Sequence, residues 1–313
     1  MTATLTAALV ALTPIFLLIA LGYGMRRSHL VPDSFWPTAE TITYWVFFPA
    51  LLMGTLVRSD IVVSDLIGMA VAMTVPLLIL TAGLLLLRPT LTGMDGPAFT
   101  SVLQAAIRPN TYVGLAAAAA LFGADGLSLI AIGIAIVVPT VNVIAVWVLQ
   151  RFGSNPSRRG GVLRGLATNP IILAVAAGLV LKFAGVSFDA NPVAEAMGAF
   201  VGILGQSALP LGLLAVGAGL DLQAVGRAGR SVGAATALKL VAAPALTLAC
   251  GLAIGIAPLQ LQIAVLYNCL PVAASAFVLA RQMGGDAPML AGTITATTIV
   301  AAVTIPFWMV LVL

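Results

Sequence analysis

The sequence predicts an all-α integral membrane protein with ten transmembrane helices, arranged as two inverted five-helix repeats. Three observations lead to this prediction: an extreme apolar composition, ten apolar runs of membrane-spanning length, and a proline in every run. Of the 313 residues, 61% are hydrophobic and 8% are charged, whereas soluble domains carry about 25% charged residues. With a mean hydropathy of +1.15, most of the surface must face the bilayer.

The ten apolar runs follow one another with short connections. A helix needs about 20 apolar residues to cross the roughly 30 Å hydrocarbon core. The runs cover residues 5–25, 36–56, 66–87, 98–122, 127–150, 165–184, 194–219, 232–256, 259–280 and 289–312. No basic residue precedes the first run, while Arg26 and Arg27 follow it directly. We therefore interpret the first run as a retained span and not as a cleaved signal peptide.

Basic residues predict the orientation of the spans. One side of the predicted bundle carries ten arginines: Arg26, Arg27, Arg88, Arg151, Arg158, Arg159, Arg164, Arg227, Arg230 and Arg281. The other side carries Arg58 and Lys182. Because lysine and arginine collect in cytoplasmic loops, we expect a multi-pass protein of the cytoplasmic (inner) membrane with both termini outside the cytoplasm. The net charge of +4 is too dilute to predict a nucleic-acid partner.

The prolines divide the chain into two similar halves. Every run contains a proline within it: Pro14, Pro49, Pro76, Pro109 and Pro139, then Pro170, Pro210, Pro244, Pro271 and Pro306. The segments LTPIFLLIALG (12–22) and TNPIILAVAAG (168–178) both place glycine eight residues after proline. We interpret the pattern as a duplication, with a first repeat at 1–150, a cytoplasmic linker at 151–164 and a second repeat at 165–313.

A five-span duplication has a consequence for topology. Because five is odd, the second copy enters the membrane from the opposite side, and inverted repeats are a transporter architecture. The alternative is that proline is simply more frequent in membrane helices.

Two runs are interrupted by a proline close to an asparagine, in IRPNTYVG (107–114) and LYNCLPVAAS (266–275). At about 1.5 Å per residue, Pro109 and Pro271 lie roughly 16 to 18 Å inside their runs, near the membrane midplane. Broken backbone at that depth is tolerated where it is buried in protein or lines a cavity, and paired interruptions point to a substrate site. A half-helix begins after each proline, and its N-terminus favours an anion such as a carboxylate.

Polar side chains near the two breaks are the candidate substrate ligands: Arg108, Asn110, Thr111, Tyr112, Asn142, Asn268 and Ser275. Pro109 and Pro271 are the predicted hinge residues. A charge at the bilayer centre costs about 2.5 to 3.5 kcal/mol, so Arg108 is either the substrate's counter-ion or gate, or a cap for carbonyls at the break. The alternative role for the two asparagines is to satisfy backbone groups that the breaks free. We expect that the long side chain of Lys239 can reach outward to the interface, and the alternative is a role in transport.

The chain offers little to a metal, cofactor or catalytic site. Cys250 and Cys269 form no paired motif and His29 stands alone, so neither a metal site nor a bound cofactor is expected. No GxxxxGK[ST] nucleotide motif is present, and no acid–base pair at matching depth predicts an enzyme. A channel would need a continuous polar stripe. Coupling to a proton, coupling to sodium and simple uniport all remain open.

The interrupted segments RPNTYVG (108–114) and NCLPVAASAFVLARQMGGD (268–286), within ten spans arranged five plus five, resemble the auxin efflux carrier family. Further similar segments are LTPIFLLIALGYGMRR near the start, FFPALL in the second span and TITATTIVAAVTIP at the end. The family contains plant auxin exporters and bacterial members associated with malonate or malate transport. It belongs with the sodium/bile-acid symporters in a wider fold superfamily.

The resemblance implies a fold in which spans four and nine break and cross inside a transport domain that moves against a scaffold domain. Pro109 and Pro271 match the crossover prolines, and Asn110 matches the asparagine after the first of them. Arg108 replaces the asparagine that usually leads this motif in plant carriers, and the short linker resembles bacterial members. The implied function is a secondary carrier of a small organic anion with an elevator-like motion. A sodium-coupled symporter of another solute is the alternative, and a homodimer is left open.

Overall fold

The computed structural model describes residues 2–59, 66–91, 93–155, 168–227 and 229–312, and within these ranges the chain is helical and has no β-strand. We number the helices α1 (Thr2–Arg27), α2 (Phe35–Val57), α3 (Leu66–Leu87), α4 (Gly96–Ile107), α5 (Thr111–Phe152), α6 (Pro170–Phe183), α7 (Pro192–Gln206), α8 (Ala208–Ala218), α9 (Leu222–Arg227), α10 (Gly229–Ile254), α11 (Pro258–Asn268), α12 (Ser275–Met283) and α13 (Ala287–Val312). The predicted linker 151–164 lies mostly outside the described residues.

Seven stretches of the described chain are long and apolar enough to cross a membrane. They are α1, α2, α3 with the short 3₁₀ turn that follows it, α5, α7 together with α8, α10, and α13. The remaining apolar helices are shorter; α6, for example, has 14 residues. The predicted class of all-α membrane protein is therefore confirmed, while the ten-span inverted repeat stays a prediction.

Two predicted runs are divided in the structure at the places where the sequence carries its proline–asparagine interruptions. In the run 98–122, α4 ends at Ile107 and α5 begins at Thr111. In the run 259–280, α11 ends at Asn268 and α12 begins at Ser275. The long α5 is itself two helices joined at Gly123, whose φ of 62° suits glycine because it has no Cβ.

Two helices contain a π-turn just before a proline. The π-turns are Thr43–Phe47 in α2 and Leu238–Ala242 in α10. Pro244, two residues after the second π-turn, has no N–H to donate to the carbonyl of Leu240. The indole Nε1 of Trp308 in α13 donates to that carbonyl at 2.8 Å. A side chain from another helix thus satisfies a backbone group that the proline leaves without its usual donor.

Contacts between helix ends bring most arginines to one end of the bundle. Arg26 Nη1 donates to the carbonyl of Ala218 at 2.7 Å, which joins the ends of α1 and α8. The N–H of Ser154 donates to the carbonyl of Gly284 at 2.8 Å, which joins the ends of α5 and α12. We call this the arginine end, and its described arginines are Arg26, Arg27, Arg88, Arg151, Arg230 and Arg281.

The opposite end of the bundle holds Arg58 and Lys182, the two basic residues that the sequence places away from the arginine end. Lys182 Nζ donates to the carbonyl of Ser59. Arg58 Nη2 donates to the carbonyl of Gly198 at 3.2 Å, and its guanidinium lies 4.9 Å from the centre of the Phe188 ring. Carbonyl oxygens and an aromatic face therefore hold these cations, which tie α2 to α6 and α7.

Close packing of α1 against α8 depends on two glycines. A Cβ at Gly22 would lie 2.1 Å from the carbonyl oxygen of Leu214, and one at Gly217 would lie 1.8 Å from that of Ile19. Small residues let membrane helices approach at backbone distance. These two helices consequently form a tight pair.

Candidate functional site

The two breaks in the helices pair with each other. The N–H of Asn110 donates to the carbonyl of Pro271 at 2.8 Å, and the N–H of Ala273 donates to the carbonyl of Arg108 at 3.1 Å. These bonds form an isolated antiparallel bridge between Pro109 and Val272. Because buried backbone groups must be hydrogen-bonded, each break satisfies groups that the other exposes. The sequence predicted the two breaks, but their pairing is visible only in the structure.

Asn110 caps the helix that begins after the first break. Its Oδ1 accepts from the N–H of Tyr112 at 3.1 Å and from the N–H of Val113 at 3.3 Å. The residue has extended backbone angles (φ −77°, ψ 102°) and is 3% exposed. This contact matches the structural alternative for Asn110, since its oxygen serves backbone groups. Asn110 also lines the cavity described below, so capping does not remove it from the candidate site.

Arg108 is held by three neutral side chains. Its Nη2 donates to Asn142 Oδ1 at 2.8 Å and to Ser275 Oγ at 3.2 Å, and its Nη1 donates to Gln104 Oε1 at 3.5 Å. The side chain is only 8% exposed, and within the described residues it forms no ion pair. Removing a charge from water costs several kcal/mol, and hydrogen bonds to a charged group return about 1.5 to 3 kcal/mol each.

The partners of Arg108 bear on its two predicted roles. None of its hydrogen-bond acceptors in the described chain is a backbone carbonyl, so the contacts do not favour the carbonyl-cap alternative. They join α4, α5 and α12, which meet at the two breaks. Arg108 is therefore a buried cation whose N–H donors bind neutral side-chain oxygens.

A cavity of about 1220 Å³ extends from the paired breaks to the arginine end. Asn110, Thr111, Tyr112 and Ser275 line it at the breaks. The ring of Tyr112 stacks on Phe48 with 4.6 Å between ring centres and 10° between planes. At the arginine end the lining includes Arg26, Arg281, Asp221 and Asp286. Polar side chains therefore line both ends of the cavity, which suits a charged or polar solute.

Several cavity residues were not among the candidates from sequence. Glu40 and Tyr44 lie one turn apart on α2 and both line the cavity, and Glu40 interacts electrostatically with Tyr112. Glu40 was not selected from the sequence because it lies near the start of its apolar run. The signal that could have found the pair is their i, i+4 spacing, which places both on one helix face. Gln104, four residues before Arg108, was missed although the same spacing applies.

Asn268 lies apart from the other candidates. It is fully buried, and its Nδ2 donates to the carbonyl of Met73 at 3.0 Å and to Thr247 Oγ1 at 2.7 Å. These contacts attach the end of α11 to α3 and α10, and Asn268 does not line the cavity. Four of the other six predicted ligands line the cavity, and Arg108, which binds Asn142, is joined to the cavity wall through Ser275, while Asn268 faces neighbouring helices. Its role in substrate binding stays a prediction that these contacts do not support.

The expectation for Lys239 is wrong. Instead of reaching outward, its side chain is fully buried, with 0% exposure. It lies in the π-turn of α10, and within the described residues its Nζ has no hydrogen-bond partner.

Comparison with known proteins gives two matches. Residues 157–309 match the family described as "Membrane transport protein". A protein of Rhizobium meliloti (strain 1021) named "Putative malonate transporter" is 28% identical in an alignment 312 residues long. The alignment covers 93% of this chain and 92% of the relative. Both descriptions are of transport proteins and not of enzymes. They agree with the family resemblance drawn from the sequence.

Proposed function

We propose that the chain is a secondary carrier of a small organic anion, a short carboxylate of the malonate type, because residues 157–309 match a membrane transport family and a transporter relative aligns with nearly the whole chain. The observation that carries the proposal is Arg108, the one arginine buried among the described residues, held by neutral side chains beside the paired breaks. The printed name of the Rhizobium meliloti relative and the resemblance to malonate- and malate-associated carriers support the same substrate class.

Recognition of the carboxylate uses two kinds of donor. The half-helices α5 and α12 begin at the cavity, and helix N-termini present N–H groups and a positive dipole end to an anion. The planar guanidinium of Arg108 offers paired N–H donors that fit a carboxylate. Ser275 lies at the cavity wall and accepts from Arg108 Nη2. A substrate carboxylate replaces the Ser275 hydroxyl as the acceptor for that donor.

This exchange gives the site its selectivity for anions. Arg108 is hydrogen-bonded but has no counter-charge within the described chain. A carboxylate supplies the missing negative charge, and a charge-assisted bond is roughly twice as strong as a neutral one. A neutral solute replaces one neutral acceptor with another and gains no charge pairing. A cation is repelled.

Alternating access follows from where the cavity opens. It reaches the arginine end, which the positive-inside rule assigns to the cytoplasm, so this conformation is the one that faces inward. The antiparallel pairing of residues 109 and 272 supports the inverted five-plus-five repeat, because inverted repeats bring equivalent segments together in opposite directions. In the elevator-like motion that we propose, the paired breaks move as one unit past α2, α6 and α7.

Uptake into proteoliposomes tests the proposal. Labelled malonate, malate and indole-3-acetate are offered separately, with imposed gradients of protons or of sodium. We expect saturable uptake of one of these acids, and loss of that uptake in Arg108→Ala. Arg58→Ala is the matched control, since Arg58 binds a carbonyl at the opposite end of the bundle and its removal leaves the site intact.

The outcomes separate the alternatives. Unchanged substrate affinity in Arg108→Ala contradicts the counter-ion role. Flux that does not saturate supports a channel, and uptake that follows only the sodium gradient supports a sodium symporter. If folded protein transports none of the acids, the substrate is not an anion of this class.

Topology is tested independently of transport. We expect epitope tags at both termini to be reached from outside intact cells, as the distribution of arginine predicts. Tags that are protected until the membrane is permeabilised would reverse the orientation and make the described cavity face outward.

A further inference from the structure

Lys239 occupies an unusual position that the proposed binding site does not explain. It is fully buried in the π-turn Leu238–Ala242 of α10. Such turns insert an extra residue into a helix and are frequent at functional sites. The chain has two lysines, and the other, Lys182, binds the carbonyl of Ser59 at one end of the bundle. Burial therefore distinguishes Lys239 from the second lysine of the same protein.

The surroundings of Lys239 provide no counter-charge. Within the described residues its Nζ has no hydrogen-bond partner. The π-turn packs against α4 and α13, and neither helix contains an acidic, basic, tyrosine, cysteine or histidine residue. Among the described residues, the thiol of Cys269 interacts electrostatically with Lys239 and donates to the carbonyl of Leu266 at 3.2 Å. No carboxylate of the described chain pairs with the amine.

Lys239 nevertheless adjoins both breaks. Cys269 is the first residue after α11 ends, so the amine lies beside the second break. The π-turn packs on α4, whose C-terminal neighbour is Arg108. Asn268 binds Thr247 of α10, so a movement of the paired breaks past α2, α6 and α7 carries the amine with it. An ionisable residue inside a membrane protein without a structural partner is a functional-site candidate.

We propose that Lys239 is the proton-coupling site of the carrier. This inference rests on the proposed carrier function and assigns its coupling ion. The neutral amine binds one proton from water at one mouth of the protein to form an ammonium group. After the paired breaks move, the ammonium returns that proton to water at the other mouth and regenerates the amine. One proton crosses per cycle, and no redox partner or further co-reactant takes part.

Two substitutions separate proton exchange from a fixed charge. Lys239→Met removes the ionisable group with little change in volume, whereas Lys239→Arg keeps a positive charge that is not released in proteins. Both variants are assayed in proteoliposomes for malonate counterflow at equal pH and for proton movement, reported by an entrapped pH-sensitive dye. We expect both variants to retain counterflow and to lose substrate-linked proton movement. The control Lys182→Arg retains both activities.

The opposite results overturn the proposal. Proton movement that persists in Lys239→Arg assigns the lysine a fixed-charge role, and proton movement that persists in Lys239→Met assigns it no role in coupling. Absence of malonate transport in the unmodified protein instead contradicts the proposed function.

A second measurement does not depend on transport. It reports on the Lys239 amine directly, and it applies even if the Lys239 variants do not fold. Lysine is labelled with ¹³C at the ε-carbon in the folded Lys182→Arg protein, so that Lys239 gives the lysine signal. We expect its chemical shift to change with pH as the amine binds and releases a proton, within the range over which the protein stays folded. A signal that does not change over that whole range overturns the proposal.

Discussion

The two breaks look alike in sequence, since each places asparagine near proline inside an apolar run, but the two asparagines make different contacts. Asn110 follows Pro109 and caps the helix that starts there, at the wall of the cavity. Asn268 precedes Pro271 by three residues, ends the helix before the break and binds Met73 and Thr247.

The order of the two residues explains the difference. An asparagine after the proline sits where the N–H groups of the new helix are unpaired, so its oxygen has donors at hand. An asparagine before the proline is still part of the earlier helix, and the rotation of that helix decides what it meets. Asn110 at the first break therefore lines the cavity, whereas Asn268 at the second break is anchored to neighbouring helices.

The largest effect on stability is expected from Asn268→Ala. The substitution removes a buried amide that binds the Met73 carbonyl and the Thr247 hydroxyl, and leaving buried groups unpaired costs about 1 to 3 kcal/mol. We expect a lower thermal unfolding temperature in detergent, with transport per folded molecule close to that of the unmodified protein. Unchanged stability with lost transport would return Asn268 to the substrate site.

Asn110→Ala is expected to have a smaller effect on stability and a larger one on transport. Loss of an N-cap costs about 1 kcal/mol, and the same residue lines the cavity. Asn110→Ser is the matched variant, because its hydroxyl oxygen restores a cap. We expect serine to recover the unfolding temperature while alanine does not. If neither variant changes transport, Asn110 acts on folding alone.

Ser275→Ala tests whether the Ser275 hydroxyl and the substrate carboxylate compete for Arg108. The serine is exposed, so loss of its bond to Arg108 should lower the free energy of unfolding by only about 0.5 kcal/mol. Because the hydroxyl competes with substrate for Nη2 in the proposed mechanism, we expect tighter substrate binding, measured by titration calorimetry. Weaker binding would identify Ser275 as a direct ligand, as the sequence predicts.

Gln206→Ala should have the smallest effect. Gln206 is exposed at the end of α7, and surface substitutions usually stay within about 0.5 kcal/mol. We expect uptake and unfolding temperature to match those of the unmodified protein. A loss of transport comparable with that in Asn110→Ala would mean that polar residues far from the breaks contribute equally.

The sequence by itself determined the membrane class, the helical spans of its long apolar runs and the location of both breaks. These are local properties: apolar composition selects the bilayer as solvent, and proline removes a donor wherever it occurs. The candidate ligands adjoining Pro109 followed from the same logic, because residues bonded next to one another cannot lie far apart. For this reason Arg108, Asn110, Thr111 and Tyr112 were found correctly as neighbours of the break.

Only the tertiary structure decided which way more distant side chains face. Asn268 turned to neighbouring helices, Glu40 to the cavity and Lys239 into the interior. Each direction depends on the rotation of a helix about its axis, and one residue changes that rotation by about 100°. The π-turn at Leu238–Ala242 introduces such a change, which hydropathy does not record. The pairing of the two breaks is likewise tertiary, because it joins segments more than 160 residues apart in the chain.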